Sequence, residues 1–404
     1  MNEGITPRGQ IRGLRRQHQW SQEDLAEAAA RSVTTIKKAE SGGHVRTDVL
    51  HDIAAALGVT TSDLYTNTAI APQLGAEPDH HALARLRAVA SPPIGLDGSP
   101  IVEPTDDDAT PGDIVADVKR AETYYRADRY DDVADMLPRI IAQAHRAVGE
   151  HDTDEAYRAR AKALQMAGRY LTQVRQLADA LTALRASIQD AAHAGDRTLA
   201  AMAINGQGWA LTRQGRMDEC EQLCVATADE VEPRMSTATG DELAAWGSLL
   251  FRGAAAAVRN NRAERADEMM QMASAAASAL GHEHESWATF GPLTVAHKQA
   301  EFALIKDQPD RTLQQAERLP DRRVVGDVTS INWERHRLDV AHALVKTRDA
   351  EQATNVMSSM LRRSPEWLRR QSEAYNIVTD ILQTRPKRPT KEMVKLASHL
   401  GVVA

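Results

Sequence analysis

Ser21-Gln22-Glu23-Asp24-Leu25-Ala26, followed by Thr34-Thr35-Ile36-Lys37-Lys38-Ala39-Glu40, decides the reading of the first fifty residues. Ser21 is a good N-cap, and Asp24, three residues on, has the reach of a capping-box partner. Leu25, Ala28 and Ala29 then recur at helical spacing. Ser32 can cap a second helix whose apolar positions are Ile36 and Ala39. Ser41-Gly42-Gly43 ends it, with glycine supplying the left-handed conformation of a helix stop. The two stretches read as helix, tight turn, helix.

Working outward, Ile11, Leu14 and Trp20 mark the apolar side of an earlier helix, with Arg12, Arg15 and Arg16 on its polar side. Thr47 or Asp48 caps a fourth helix that turns Val49, Leu50, Ile53, Ala54 and Leu57 inward, and Gly58 stops it. Ser62 to Tyr65 gives a short fifth turn. A five-helix unit over residues 1–66 is the expectation. The turn holds Ala30 and Arg31 where glycine and an apolar residue are usual. Ala30 costs little if its backbone is not left-handed, and Arg31 is expected to point outward.

Composition bounds the rest. The chain has 404 residues, 26% of them charged and only 4% aromatic. Helix formers dominate, so an all-α protein of two or three domains is expected. The net charge of -7 argues against a protein that coats nucleic acid, so any such contact needs a local patch. Residues 1–66 hold eight basic and eight acidic side chains, so placement decides. Two cysteines, Cys220 and Cys224, are too few for a disulfide framework. No apolar run reaches the roughly 20 residues of a membrane span. The start, Met1 to Pro7, lacks a basic-then-apolar signal pattern. No membrane contact, and a cytoplasmic, nucleoid-associated setting, are expected.

Residues 67–112 are punctuated by prolines, from Pro72 to Pro111, and read as a linker with one short helix near Asp79 to Ala90. Leu83, Leu86 and Val89 give that helix a docking side. From Asp113 onward helices alternate with similar small polar breaks at Arg126–Tyr130, Arg213–Met217, Arg259–Ala263, Lys306–Asp310 and Lys346–Ala350. Breaks recurring in this way indicate stacked helical hairpins, an α-solenoid over residues 113–404. Pairs are expected near 113–148, 152–193, 196–230, 241–280, 284–319, 327–362 and 364–400.

Residues 8–65 resemble the Cro/repressor-type helix-turn-helix of the xenobiotic-response-element family. The matching stretches are Ile11 to Arg16, Ser21 to Ala26, Ile36 to Gly42 and Leu50 to Val59. The resemblance implies that Gln22 bonds a phosphate of double-stranded DNA. It implies that Val33, Thr34 and Lys37 face base edges, and that Thr35 or Lys38 touches base or backbone. Arg12, Arg15, Arg16, Arg31, Ser32 and Arg46 complete the expected DNA face. Basic side chains there neutralise phosphates and set register. Such a unit covers one half-site, so a homodimer on an inverted-repeat operator is implied. The alternative for the same five helices is a protein-docking module.

The array resembles tetratricopeptide repeats through Tyr124-Tyr125, Tyr130 and Val133-Ala134, and through Gly208-Trp209, Leu211, Gly215-Arg216-Met217 and Cys220. The order of parts is similar to a group of actinobacterial regulators. That likeness includes Ala84 to Arg87, Pro92 to Gly98, Phe290-Gly291-Pro292 and Arg337 to Ala341. In related peptide-sensing regulators such repeats bind a short signalling peptide on the inner face. By that likeness Asn205, Trp209, Arg213, Trp246, Arg252, His297, Trp333 and Arg337 are candidates for a peptide or small ligand, with packing the competing role for Trp209 and Trp246. His282 to Glu285 reads as a solvated loop more than a metal site. Arg362-Arg363 and Arg369-Arg370 read by default as a solvated helix face, with a nucleic-acid patch the alternative.

No phosphate-binding glycine loop, dinucleotide turn, zinc-protease motif or nucleophile elbow is present, so neither catalysis nor a cofactor is expected. Two functional readings remain. One is a DNA-binding regulator, a repressor with a ligand-sensing array. The other is a repeat module that binds a partner protein, with DNA binding secondary.

Overall fold

The computed structural model describes residues 11–12, 14–16, 18, 20–41, 45, 47–57, 59, 64, 80–96, 100–102, 108–285, 289–319, 331–384 and 389–402. Arg46, Gly42, Gly43, Gly58 and the turn at 62–63 and 65 lie outside them. The chain is all-α among the described residues, apart from one two-stranded hairpin and an isolated bridge between Ile94 and Pro100.

Residues 11–12 and 14–16 are helical, followed by α1 (Gln22–Ala28), α2 (Val33–Ser41) and α3 (Thr47–Ala56). Ser21 and Asp24 form the capping box in full: the Ser21 hydroxyl accepts from Asp24 N, and the Asp24 carboxylate accepts from Ser21 N. Those bonds hold the Asp24 carboxyl below its usual pKa. Ser32 Oγ accepts from Thr35 N at 3.1 Å and starts α2. Ile11, Leu25, Ile36 and Ile53 are fully buried in one small core with Leu50, Leu57 and Leu64. Each such side chain stabilises the unit by about 1.5–3 kcal/mol.

A second helix group begins with α4 (His80–Ala90), α5 (Pro111–Arg126), α6 (Tyr130–His151), α7 (Asp154–Gln173) and α8 (Leu177–His193). It continues with α9 (Arg197–Arg213), α10 (Met217–Glu230), α11 (Gly240–Arg259) and α12 (Ala263–Leu280). After the hairpin β1 (His284–Glu285) and β2 (Thr289–Phe290) come α13 (Pro292–Ile305), α14 (Pro309–Glu317), α15 (Ile331–Lys346) and α16 (Ala350–Arg363). The last elements are α17 (Pro365–Arg369), α18 (Ser372–Thr384) and α19 (Lys391–Leu400). Helix α4 lies in the segment read as a linker, yet Ala82, Leu83, Leu86 and Ala90 are buried in the same core as α5 to α8. It packs on α6.

The hairpins share one turn. Asp128, Arg175, Gly215, Asn261, Asp307 and Arg348 each have φ between 60° and 77°. The next residue donates its N–H to the carbonyl five residues back, at 2.8–3.0 Å in all six turns. This is the hydrogen bond that closes a helix end after a left-handed residue. Sequence reading missed the Arg175 turn, because Val174-Arg175-Gln176 has none of the residues that favour φ > 0.

The array, expected as an α-solenoid, brings its first and last hairpins together. Residues from 82–183 and 338–402 form one continuous core. Asp128, in the first hairpin turn, accepts from the N–H groups of Glu366 and Trp367 at the start of α17, at 2.7 and 2.6 Å. Arg175 donates to Ser372 Oγ at 3.0 Å across 197 residues of chain. Burial pushes the Asp128 carboxyl up to about 7 despite those two bonds. The middle hairpins α9 to α13 build a second core around Trp246, Phe251 and Phe290.

Candidate nucleic-acid interface and the inner face of the array

The turn between α1 and α2 carries Ala30 at φ 50°. The backbone there is left-handed, so the mild cost expected for alanine is replaced by a real one, about 1–2 kcal/mol for an L-residue. Arg31 N donates to Ala26 O at 2.9 Å, the same bond the array turns use. The Arg31 side chain does not reach outward as expected. Its Nε donates to Asp52 on α3 at 2.7 Å, and its Nη2 pairs with the same carboxylate.

Arg15 is the second correction. It is 9% exposed and not on a polar face. Its Nε and Nη2 bond both oxygens of Glu40 at 2.6 and 3.1 Å, and Nη1 bonds Trp20 O at 2.7 Å. Gln22 Nε2 donates to Glu40 Oε2 at 2.6 Å. Burial alone would raise the Glu40 carboxyl, but the hydrogen bonds from Arg15 and Gln22 outweigh it and hold the group ionised below its usual range. Glu40 therefore joins the first helix, α1 and α2. Sequence reading quoted Glu40 without giving it a role, and Asp52 was not singled out. Gln22 keeps one of its two amide N–H groups for another acceptor.

The solvent face of α2 holds Thr34, Lys37 and Lys38, which are exposed and lie three and four residues apart. Ile36 and Ala39 face the core from the other side. Ser32 is exposed and its hydroxyl lies 2.8 Å from Thr35 Oγ1. Thr35 is therefore half-buried and engaged, and Val33 is half-buried against the core rather than fully presented. Arg16 is exposed and Arg12 half-buried.

The array candidates fall into three groups. Asn205 is buried and accepts from Arg252 Nε at 3.4 Å. Arg213 lies over the Trp209 ring at 5.2 Å. His297 is 5.7 Å from Trp333 and stacks on His336 at 4.6 Å, while Arg337 lies 5.9 Å from the Trp333 ring. Burial depresses His297 to about 3 and His336 to about 4, so both are neutral imidazoles above those values. Trp246 does not reach the inner face: at 3% exposure it is core.

A cavity of about 530 Å³ opens among α5, α7, α9, α11 and β1, lined by Lys119, Glu122, Arg126, Lys162, Asp241 and Glu285 among others. None of the sequence-derived ligand candidates lines it. Within His282 to Glu285 the two outer residues are exposed, but the two inner ones are engaged and residues 284–285 form β1. Glu283 Oε1 accepts from Leu293 N at 2.6 Å and caps α13, and His284 Nε2 bonds Asp241 at 2.8 Å. Of the basic pairs near Trp367, Arg362 is exposed as expected, and the other three are committed. Arg363 bonds Glu334 at 2.6 Å, Arg369 pairs with Glu366, and Arg370 is buried over Tyr130. Cys220 and Cys224 are free thiols, fully buried one helical turn apart.

No helix among the described residues is long and apolar enough to cross a membrane. No curated protein matches the chain. Residues 8–64 match the model of a family described as a helix-turn-helix domain, which supports a DNA-binding regulator rather than an enzyme.

Proposed function

We propose that the chain is a sequence-specific transcription regulator, a repressor that binds an inverted-repeat operator as a homodimer. The observation that carries this reading is the exposed face of α2. Thr34, Lys37 and Lys38 stand together on it, with the capped start of the helix and Ser32 at one end. Residues at the start of such a helix reach base edges in the major groove. Thr34 and Lys37 are assigned to bases. Lys38, Arg12, Arg16, Gln22 and Arg46 are assigned to phosphates. Arg15 and Arg31 are assigned to the scaffold, because Glu40 and Asp52 already hold their guanidinium groups.

The division at 1–66, 67–112 and 113–404 is part of the same reading, with α4 counted into the array. The array is read as tetratricopeptide-like, as in the actinobacterial regulators it resembles. It supplies the dimer contact and senses a signalling peptide or small ligand. A ligand can change DNA affinity only by binding one array conformation better than another.

The test is a mobility shift on DNA upstream of the chain's own gene, at fixed salt. The full chain is expected to give a retarded complex that Thr34→Ala/Lys37→Ala weakens by at least about tenfold, since each base contact is worth about 1–3 kcal/mol. Equal retardation by the double variant sinks the groove placement.

A further inference from the structure

The inner face of the array repeats in register. Two residues before each left-handed turn stand Arg126, Gln173, Arg213, Arg259, Ile305 and Lys346. The other cations of this row have carboxylates: Arg126 bonds Glu122 at 2.9 Å, Arg259 bonds Glu301 at 2.9 Å, and Lys346 bonds Asp307 at 2.8 Å. Among the described residues Arg213 has none. Its neighbours are the Trp209 ring, at 5.2 Å, and the further guanidinium groups of Arg175 and Arg335. Among the described residues Arg175, which is solvent-exposed, has no carboxylate either, and it bonds the Ser372 hydroxyl. The guanidinium of Arg213 falls to about 9 through burial and then the charge of Arg175.

An unpaired amide stands at the equivalent level of the preceding hairpin. Gln173, at the Arg213 position of the packed neighbouring helix α7, is 1% exposed and neither amide atom has a partner. Tyr125, also 1% exposed, has its hydroxyl within reach of Arg169 and within electrostatic reach of Arg213. Arg169 lies over the Tyr125 ring at 4.6 Å, but its guanidinium is held by Glu122. Arg335 is balanced by Asp339 at 3.4 Å, and Arg370 has Glu366 at 3.9 Å. Helices α5, α7 and α9 pack in succession, and Arg335 of α15 reaches Arg213 electrostatically. A half-buried guanidinium without a carboxylate, with a second, solvent-exposed one near it and a buried amide that lacks partners, forms a set of donors that an anion would complete.

We infer that Arg213, Arg175, Gln173 and the Tyr125 hydroxyl form a binding site for an oxyanion, the carboxylate or phosphate group of a ligand. Two guanidinium forks suit either group, and the amide and hydroxyl supply further donors. This deepens the sensor reading, and rests on it only for the effect of the ligand on DNA.

The test uses the full chain, titrated separately with inorganic phosphate and with acetate against chloride at equal ionic strength. Thermal unfolding is followed together with protection of Arg213 and Arg175 from phenylglyoxal, located by peptide mass. A saturable rise in Tm with protection of both arginines is expected, and loss of both effects in Arg213→Gln. A response to phosphate alone assigns a phosphorylated ligand; a response to acetate alone assigns a carboxylate. No saturable rise with either anion, or the same rise in Arg213→Gln, overturns the site. Should Arg213→Gln fail to fold, Arg213→Lys keeps the charge without the fork and is expected to bind roughly tenfold more weakly; unchanged affinity overturns the site. The mobility shift separates the two readings. Anion binding that leaves operator binding unaltered sinks the sensor and keeps the site. Intact operator binding without anion binding sinks the site and keeps the regulator.

Discussion

Glu40 is a single side chain on which three helices depend. It takes two bonds from Arg15 and one from Gln22, and its side chain is 4% exposed. Removing one partner of a buried pair leaves an uncompensated charge, which costs about 3–5 kcal/mol. Glu40→Gln keeps the shape and removes the charge. Faster amide exchange over Gln22–Ser41 is expected, by roughly a hundredfold or more, with exchange in the array unchanged. The pH dependence has a fixed sign. The folded carboxyl titrates below its unfolded value, so its contribution is complete above about pH 4.5 and is lost as pH falls through the folded value. The variant should lack this acid-sensitive component; if it opens with the same acid dependence, Glu40 is not the hub. Arg15 was misread as a surface cation because periodicity ranks faces by polarity, and its partner lies 25 residues away. The Ser21 and Asp24 cap was legible because both partners lie within four residues.

At the scale of elements, tight packing is concentrated where glycine admits it. A Cβ on Gly247 of α11 would lie 2.0 Å from Phe290 Cζ, and the Phe290 ring is fully buried. The hairpin β1–β2 thus inserts its last residue against a helix that must be bare at that point. Gly247→Ala is expected to destabilise the array by about 1–3 kcal/mol through overpacking. Phe290→Leu in the same background should restore part of the loss, and urea midpoints of the two variants check it. No recovery would place the strain elsewhere. Hairpin boundaries could be read from the sequence because five of the six turns stand out as short polar breaks. The turn at Arg175 could not, because φ > 0 is carried there by arginine and enforced by packing and the Gln176 N to Leu171 O bond. The same tertiary enforcement holds Ala30 left-handed. The strand pair was missed because two residues per strand leave no periodicity to detect.

At the scale of the molecule, closure joins the first hairpins of the array to the last, and Asp128 is the fastener. No local pattern announces it, since the bonds to Glu366 and Trp367 span 238 and 239 residues. A carboxylate accepting two helix N–H groups is favourable, yet burial dominates and lifts this carboxyl to about 7. The folded pKa lies above the unfolded one, so the contribution is complete below about pH 4 and is lost as pH rises through about 7. The seam is therefore tightest in mild acid and loosens toward alkaline pH. Asp128→Asn keeps an acceptor oxygen, tolerates the left-handed backbone and cannot ionise. Amide exchange in peptides covering Pro365–Arg369 is expected to quicken from pH 6 to pH 8 in the parent beyond the intrinsic chemical rate. In Asp128→Asn this excess should vanish, whereas Asp128→Ala, which removes both acceptors, should open the seam at every pH. An excess that persists in Asp128→Asn would move the titrating group away from the seam, and Glu366 and Arg370 beside it would then need testing in turn.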